Sequence, residues 1–175
     1  MESTDLSEHG YETPERTLEG WSGLVRVVDV YDGDTVQVVL EDHGTIIRVK
    51  CRMSGIDTCE IRSRSPRNRE AAFDARDRLA SLVLDRDAME FRGSSRKAVR
   101  RALDETPSIV WARCGRSDKY GRTLIKLYAR PADGEAPTPD DSFGAVLVRE
   151  RLAYQYRGGR RLSESEQLEV LGRAS

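Results

Sequence analysis

Cysteine, histidine and aromatic residues are all scarce in this chain of 175 residues. The three cysteines, Cys51, Cys59 and Cys114, have no CxxC spacing. That argues against a disulfide scaffold and fits reduced thiols in an intracellular compartment. The two histidines, His9 and His43, stand outside any ligand spacing, which removes zinc. No apolar run approaches the roughly 18 residues of a membrane span, so no membrane partner is expected. Residues 1–20 are acidic and lack an apolar stretch, which does not read as a secretory signal, and a cytoplasmic location is expected. With aromatics at 6% of the chain, a plain single-strand-binding domain built on base stacking has little to work with.

Lysine is nearly absent as well: 4 Lys stand against 25 Arg. Arginine grips phosphate oxygens two at a time through its planar fork, although a GC-rich genome favours arginine codons equally well. The formal net charge of −1 conceals a division. Residues 1–20 hold six acids and one base, leaving 28 basic and 24 acidic residues, a balance of +4, for the remainder. Residues 1–20 are therefore expected to form an acidic, disordered arm. Residues 21–175 are expected to form one domain with its own core.

Within that domain, residues 24–31, 35–40, 45–53, 108–114 and 123–129 read as five short strands. Strands two and three form a hairpin around Glu41, Asp42, His43 and Gly44. Ser65-Pro66 is an N-cap followed by proline at the first helical position. The helix it opens runs to Leu84, burying Ala72, Ala75, Leu79, Leu82 and Val83; Asp74, Arg76, Asp77 and Arg78 are assigned to its solvated face. Residues 85–106 read as a helical insertion, capped at Ser94 or Ser95. Arg92, Arg96 and Arg100 recur in it at four-residue steps, which a solvated face explains more readily than a phosphate-gripping one. Further helices are expected from Phe143, and from the capping box Ser163-Glu164-Ser165-Glu166. This is an α+β plan: a five-stranded Greek-key barrel of OB type with about three helices and an insertion.

Chemistry concentrates in residues 31–60. The hairpin brings Asp34 at one strand end toward Arg52, Asp57, Thr58 and Glu60 at another. Carboxylates converging at a sheet end repel, shift their pKa values or share a hard cation. Oxygen donors without histidine favour Ca²⁺ or Mg²⁺. Each piece also has a plainer reading. Asp32-Gly33-Asp34 and Asp57-Thr58 make turns, Arg52 and Glu60 make a surface ion pair, and residues 118–121 make a hairpin loop.

Three motifs in order carry a family resemblance: Asp32-Gly33-Asp34-Thr35; Arg52 with Gly55-Ile56-Asp57-Thr58-Cys59-Glu60; and Asp118-Lys119-Tyr120-Gly121-Arg122. With the segment from Leu147 to Tyr154, the chain from about Gly23 to Gly172 resembles the staphylococcal nuclease-like (thermonuclease) family. The resemblance implies a Ca²⁺-dependent nuclease that hydrolyses DNA and RNA with little sugar specificity and leaves 3′-phosphate ends. It implies Asp34 and Asp57 as carboxylate ligands of Ca²⁺, with the Thr58 carbonyl as a further ligand. Glu60 would hold or activate the attacking water. Arg52 and Arg122 would grip the scissile phosphate. Lys119 and Tyr120 match positions beside a terminal phosphate, and Tyr154 and Tyr156 match substrate-side tyrosines. Single-stranded substrate and a monomer are the expected partner and state. Cys59 departs from the family's usual proline and puts a thiol beside the metal position. The rival reading is a catalytically weak barrel that binds single-stranded nucleic acid or a protein.

Overall fold

The computed structural model describes residue 7 and residues 10–132 and 136–174. Five strands close a barrel: β1 (Ser22–Val30), β2 (Thr35–Asp42), β3 (Thr45–Met53), β5 (Ile109–Ser117) and β6 (Thr123–Tyr128), in the order β1-β2-β3-β6-β5. The β3–β6 pairing is parallel and the others are antiparallel, with β5 returning to β1. This is a mixed, closed barrel of OB type. A short ribbon pairs β4 (Ile56–Asp57) with β7 (Tyr154–Gln155). Among the described residues, four α-helices accompany the strands: α1 (Pro66–Leu84), α2 (Arg96–Glu105), α3 (Phe143–Arg149) and α4 (Glu164–Val170). Among the described residues, no helix is long and apolar enough to cross a membrane.

The strand period of two builds the interior. Val36, Val38 and Leu40 of β2 and Cys51 and Met53 of β3 point into the core with Val25, Val27, Val110, Ala112, Ile125 and Leu127. The β2–β3 turn is tighter than the expected four-residue connection. Asp42 pairs with Thr45, and only His43 (φ 48°) and Gly44 (φ 77°) lie between, both left-handed as a two-residue hairpin turn requires. The same register sets Arg52 opposite Thr35, so the outward-pointing Arg52 stands beside Asp34.

The expected arm falls partly outside the described residues, which omit 1–6, 8 and 9. Its end is tied to the barrel: Leu18 joins the core, and Arg16 donates to Asp42 Oδ2 at 2.6 Å.

Of the two expected solvated faces, the first buries Arg76 and Asp77, whereas the second stays exposed but uses Arg96 and Arg100 to reach a buried carboxylate. On α1, Arg76 is 1% exposed, pairs with Asp77 Oδ1 at 2.5 Å, donates to the Ser94 carbonyl at 2.7 Å and lies over the Phe73 ring. Its neighbours behave differently: Arg78 forks onto Glu150, and Asp74 pairs with Arg173. The insertion packs on that side of α1, and a local pattern has no sight of it. The insertion itself docks through charge. Asp29 of β1 is 3% exposed and takes Arg96, Arg100 and Gln37 as partners. Burial pushes the Asp29 carboxyl up, but the two guanidinium groups outweigh it and hold it below the ordinary range. Arg96 and Arg100 are thus an anchoring pair, whereas Arg92 is exposed and Arg101 pairs with Glu105 in solvent.

Candidate catalytic cleft

The turn from β1 to β2 is held by an Asx bond, Asp34 N–H to Asp32 Oδ1 at 3.1 Å. It lies directly on α1 and on the Thr58 loop. A Cβ at Gly33 would come within 2.6 Å of Ala75 Cβ and 2.9 Å of Thr58 Cγ2, neither of which can swing aside. Glycine is needed here for close approach. Gly33→Ala is expected to destabilise by about 1–3 kcal/mol, as overpacking does, and to displace Asp34. Adding Ala75→Gly should return part of that loss in urea denaturation. Equal midpoints for the single and double variants would rule the contact out.

Asp34 is 3% exposed. Its Oδ1 accepts from Thr35 Oγ1 at 3.0 Å and from Arg52 Nη1 at 3.0 Å, and its Oδ2 accepts from the Thr58 N–H at 3.1 Å. Burial, then the nearby charge of Asp32, and also that of Asp57, push the Asp34 carboxyl well above its ordinary value against the pull of Arg52. The Asp32–Asp34 corner is therefore short of positive charge.

Asp57 shares Arg52 yet behaves oppositely. Its Oδ1 accepts from Arg52 Nη2 at 2.7 Å and Arg161 Nη2 at 2.9 Å; its Oδ2 accepts from the Tyr154 hydroxyl at 2.6 Å and Arg161 Nε at 3.1 Å. Burial alone would raise its pKa, but Arg161, Tyr154 and Arg52 bring it down to about 2. The contrast follows from counting cations: Asp57 has two guanidinium groups and Asp34 has one.

Asp34, Arg52, Thr58, Glu60 and Arg122 line one cleft of about 210 Å³, together with Tyr31, Asp32 and Arg161. Asp57 lies behind its wall, fully buried. Arg122 arrives from the turn between β5 and β6. There Asp118 Oδ1 accepts from the Tyr120 and Arg122 amides, and Asp118 Oδ2 accepts from Arg122 Nε at 2.8 Å. Gly121, at φ 77°, supplies the left-handed residue this turn needs. Tyr120, 72% exposed, stands within cation–π range of both Lys119 and Arg122. It offers a ring at the edge of the site.

The tyrosines divide. Tyr154 is 5% exposed, and β7 pairs it directly with Asp57. It orients that carboxylate, while Gln167 Nε2 donates to its hydroxyl at 3.3 Å. Tyr156 donates to the Gly159 carbonyl and is not among the residues lining the cleft. The Cys59 thiol is 1% exposed, receives the Asn68 amide at 3.6 Å and packs with Ala71, Ala72, Tyr154 and Leu171. Cys59 is part of the cleft lining, yet burial raises its pKa, so its thiol is a neutral packing group there rather than a reactive one.

Glu60 does not pair with Arg52. Its partner is Arg161, which hydrogen-bonds Glu60 and Asp57 together. Arg161 carries no motif and lies 104 residues from Asp57 in the chain. The only hint in the sequence is the basic, glycine-interrupted run Arg157-Gly158-Gly159-Arg160-Arg161 just before the capping box.

Among the described residues, no group of three or more His, Cys, Asp or Glu side chains can hold a metal ion by itself. The donors are hard oxygens, which suits Ca²⁺. Asp34 fits, because it is under-neutralised; Thr58 adds a buried side-chain Oγ1 with no hydrogen-bond partner among the described residues, an atom distinct from the backbone carbonyl expected as a ligand. Asp57 fits only once its present donors, Arg161 above all, release an oxygen.

Comparison of the chain with protein-family models and with curated protein sequences gives no match.

Proposed function

We propose that this protein is a Ca²⁺-dependent phosphodiesterase that cleaves DNA and RNA chains by in-line attack of water and leaves 3′-phosphate ends. The observation that carries the reading is one cleft onto which β3 and the β5–β6 turn deliver two guanidinium groups, Arg52 and Arg122, beside Arg161, Asp34 and Glu60. Phosphodiester hydrolysis builds negative charge on the equatorial oxygens, and fixed guanidinium groups offset it. Arg52, held by Asp34 and Asp57, and Arg122, held by Asp118, meet that requirement without reorganising. Glu60, solvent-accessible at the cleft, orients and deprotonates the water. Ca²⁺, held by Asp34, Asp57 and the Thr58 carbonyl, would polarise the phosphate. Tyr120 and Lys119 receive the flanking nucleotide, which favours a single strand whose bases are free to stack. The protein acts as a monomer.

The engagement of Asp57 by Arg161 and Tyr154 favours one other reading, a catalytically weak barrel that only binds single strands. Incubation with single-stranded DNA, duplex DNA and RNA separates the two. Ca²⁺-dependent cleavage that EDTA abolishes, with 3′-phosphate ends, is the expected result. Intact single-stranded DNA that is nevertheless retarded in a gel would sink the nuclease and leave the binding module.

A further inference from the structure

Arg161 occupies the place where the proposed nuclease needs an open carboxylate oxygen. It forks across Asp57, with Nη2 to Oδ1 at 2.9 Å and Nε to Oδ2 at 3.1 Å, while its Nη1 binds Glu60. One side chain thus ties down both the buried carboxylate and the group assigned to the water. Of Asp57's three partners, it alone is free to leave. Arg52 is 13% exposed in its side chain and shared with Asp34, and Tyr154 is buried. The Arg161 side chain is 46% exposed, and that of Glu60 is 55% exposed. Arg161 follows Gly158 and Gly159, at φ 93° and 94°, where no atom lies near either Cβ position. Glycines in that region give the loop conformations closed to other residues. The Glu60–Arg161 pair is also common to two neighbouring clefts, the one above and a second of about 270 Å³ that includes Ser63, Leu162 and Gln167. Opening the pair lengthens the groove.

We infer that Arg161 is a positioning residue that clamps Asp57 and Glu60 in the free protein and transfers to a backbone phosphate when a nucleic-acid strand enters. This rests on the nuclease reading. A phosphodiester is a competing bidentate acceptor for the same guanidinium, so substrate itself releases Asp57 and Glu60. In the free protein the clamp competes with a divalent cation for Asp57. A site closed about nine-tenths of the time binds about tenfold more weakly than its open form.

Calorimetric titration of Ca²⁺ alone into substrate-free protein tests this. Arg161→Ala is expected to bind Ca²⁺ about tenfold more tightly than wild type. Arg161→Lys keeps the charge but cannot fork across both carboxylates, and should gain part of that factor. Unchanged or weaker binding by the alanine variant would overturn the clamp. So would a lysine variant at wild-type affinity beside a tighter alanine variant, which would reduce the effect to local charge. Should the variants not fold, the wild type still decides. The Arg161 Nε–H resonance is expected to be protected in the free protein and to shift on adding short oligodeoxythymidylate; a resonance that stays put overturns the transfer. A protein without nuclease activity whose alanine variant gains Ca²⁺ affinity keeps the clamp on Asp57 and loses the nuclease reading. A Ca²⁺-dependent nuclease with no such gain keeps that reading and loses the clamp.

Discussion

Arg52→Ala is expected to cost about 3–5 kcal/mol of stability and to lower nuclease activity by about 10²–10³-fold. The stability loss has one main source. Arg52 is the only guanidinium that Asp34 holds, at 3.0 Å, and Asp34 is 3% exposed. Removing it leaves a buried carboxylate unpaired, whereas Asp57 retains Arg161 and Tyr154. The pH dependence separates this cause from simple loss of packing. Asp34 has a raised folded pKa, so its contribution to stability is full below the ordinary carboxylate value of about 3.9 and lost as pH rises through the raised value. The deficit of Arg52→Ala should therefore be largest near neutrality and shrink toward pH about 4, where protonated Asp34 needs no counter-ion. Asp57 works in the opposite sense. Its pKa of about 2 supplies stability above the ordinary range that disappears as pH falls through about 2. Urea denaturation of wild type and variant across this range measures both. A deficit independent of pH would mean that Arg52 acts through packing rather than through Asp34.

Glu60→Gln should produce the reverse profile. The Glu60 side chain is 55% exposed and its ion-pair partner is Arg161, itself half-exposed. Exposed pairs of this kind contribute little, and stability is expected to change by less than about 1 kcal/mol. Activity is expected to fall by about 10²–10⁴-fold, because the amide cannot take a proton from water at the phosphate. Single-turnover cleavage of single-stranded DNA at saturating Ca²⁺ provides the measurement. A Gln variant with wild-type rate would remove Glu60 from the mechanism and leave the cleft a binding surface.

These two residues also mark how far the amino-acid pattern reaches. That Arg52 comes toward Asp34 is legible from the hairpin, but the register that sets Arg52 opposite Thr35 comes from a two-residue His43-Gly44 turn, tighter than the connection expected at residues 41–44. That Glu60 faces Arg161 is not, since no local rule joins positions separated by 101 residues. The same divide runs through the helices. Ser65, Ser95 and Ser163 cap α1, α2 and α4 as their motifs predict, each accepting an amide three residues on. Asp77 and Arg76, read as surface charges, lie under the insertion, and Arg96 and Arg100 close on Asp29 from 67 and 71 residues away. In both cases charge spacing on a helix is the same whether water or a buried carboxylate faces it.

The sequence by itself determined the barrel strands, the caps, the hairpin and the residue types gathered at the cleft. Each of these depends on periodicity or on hydrogen bonds within a few residues. Only the tertiary structure decided which carboxylate is satisfied and which is not. Asp34 and Asp57 are equivalent in local pattern, two acids beside turns. Their opposite pKa shifts arise because the chain returns through β7 and the Gly158–Gly159 loop to bring Tyr154 and Arg161 onto Asp57 and not onto Asp34. Electrostatic energy depends on distance through space and on exclusion of water, and neither is defined until the chain has closed.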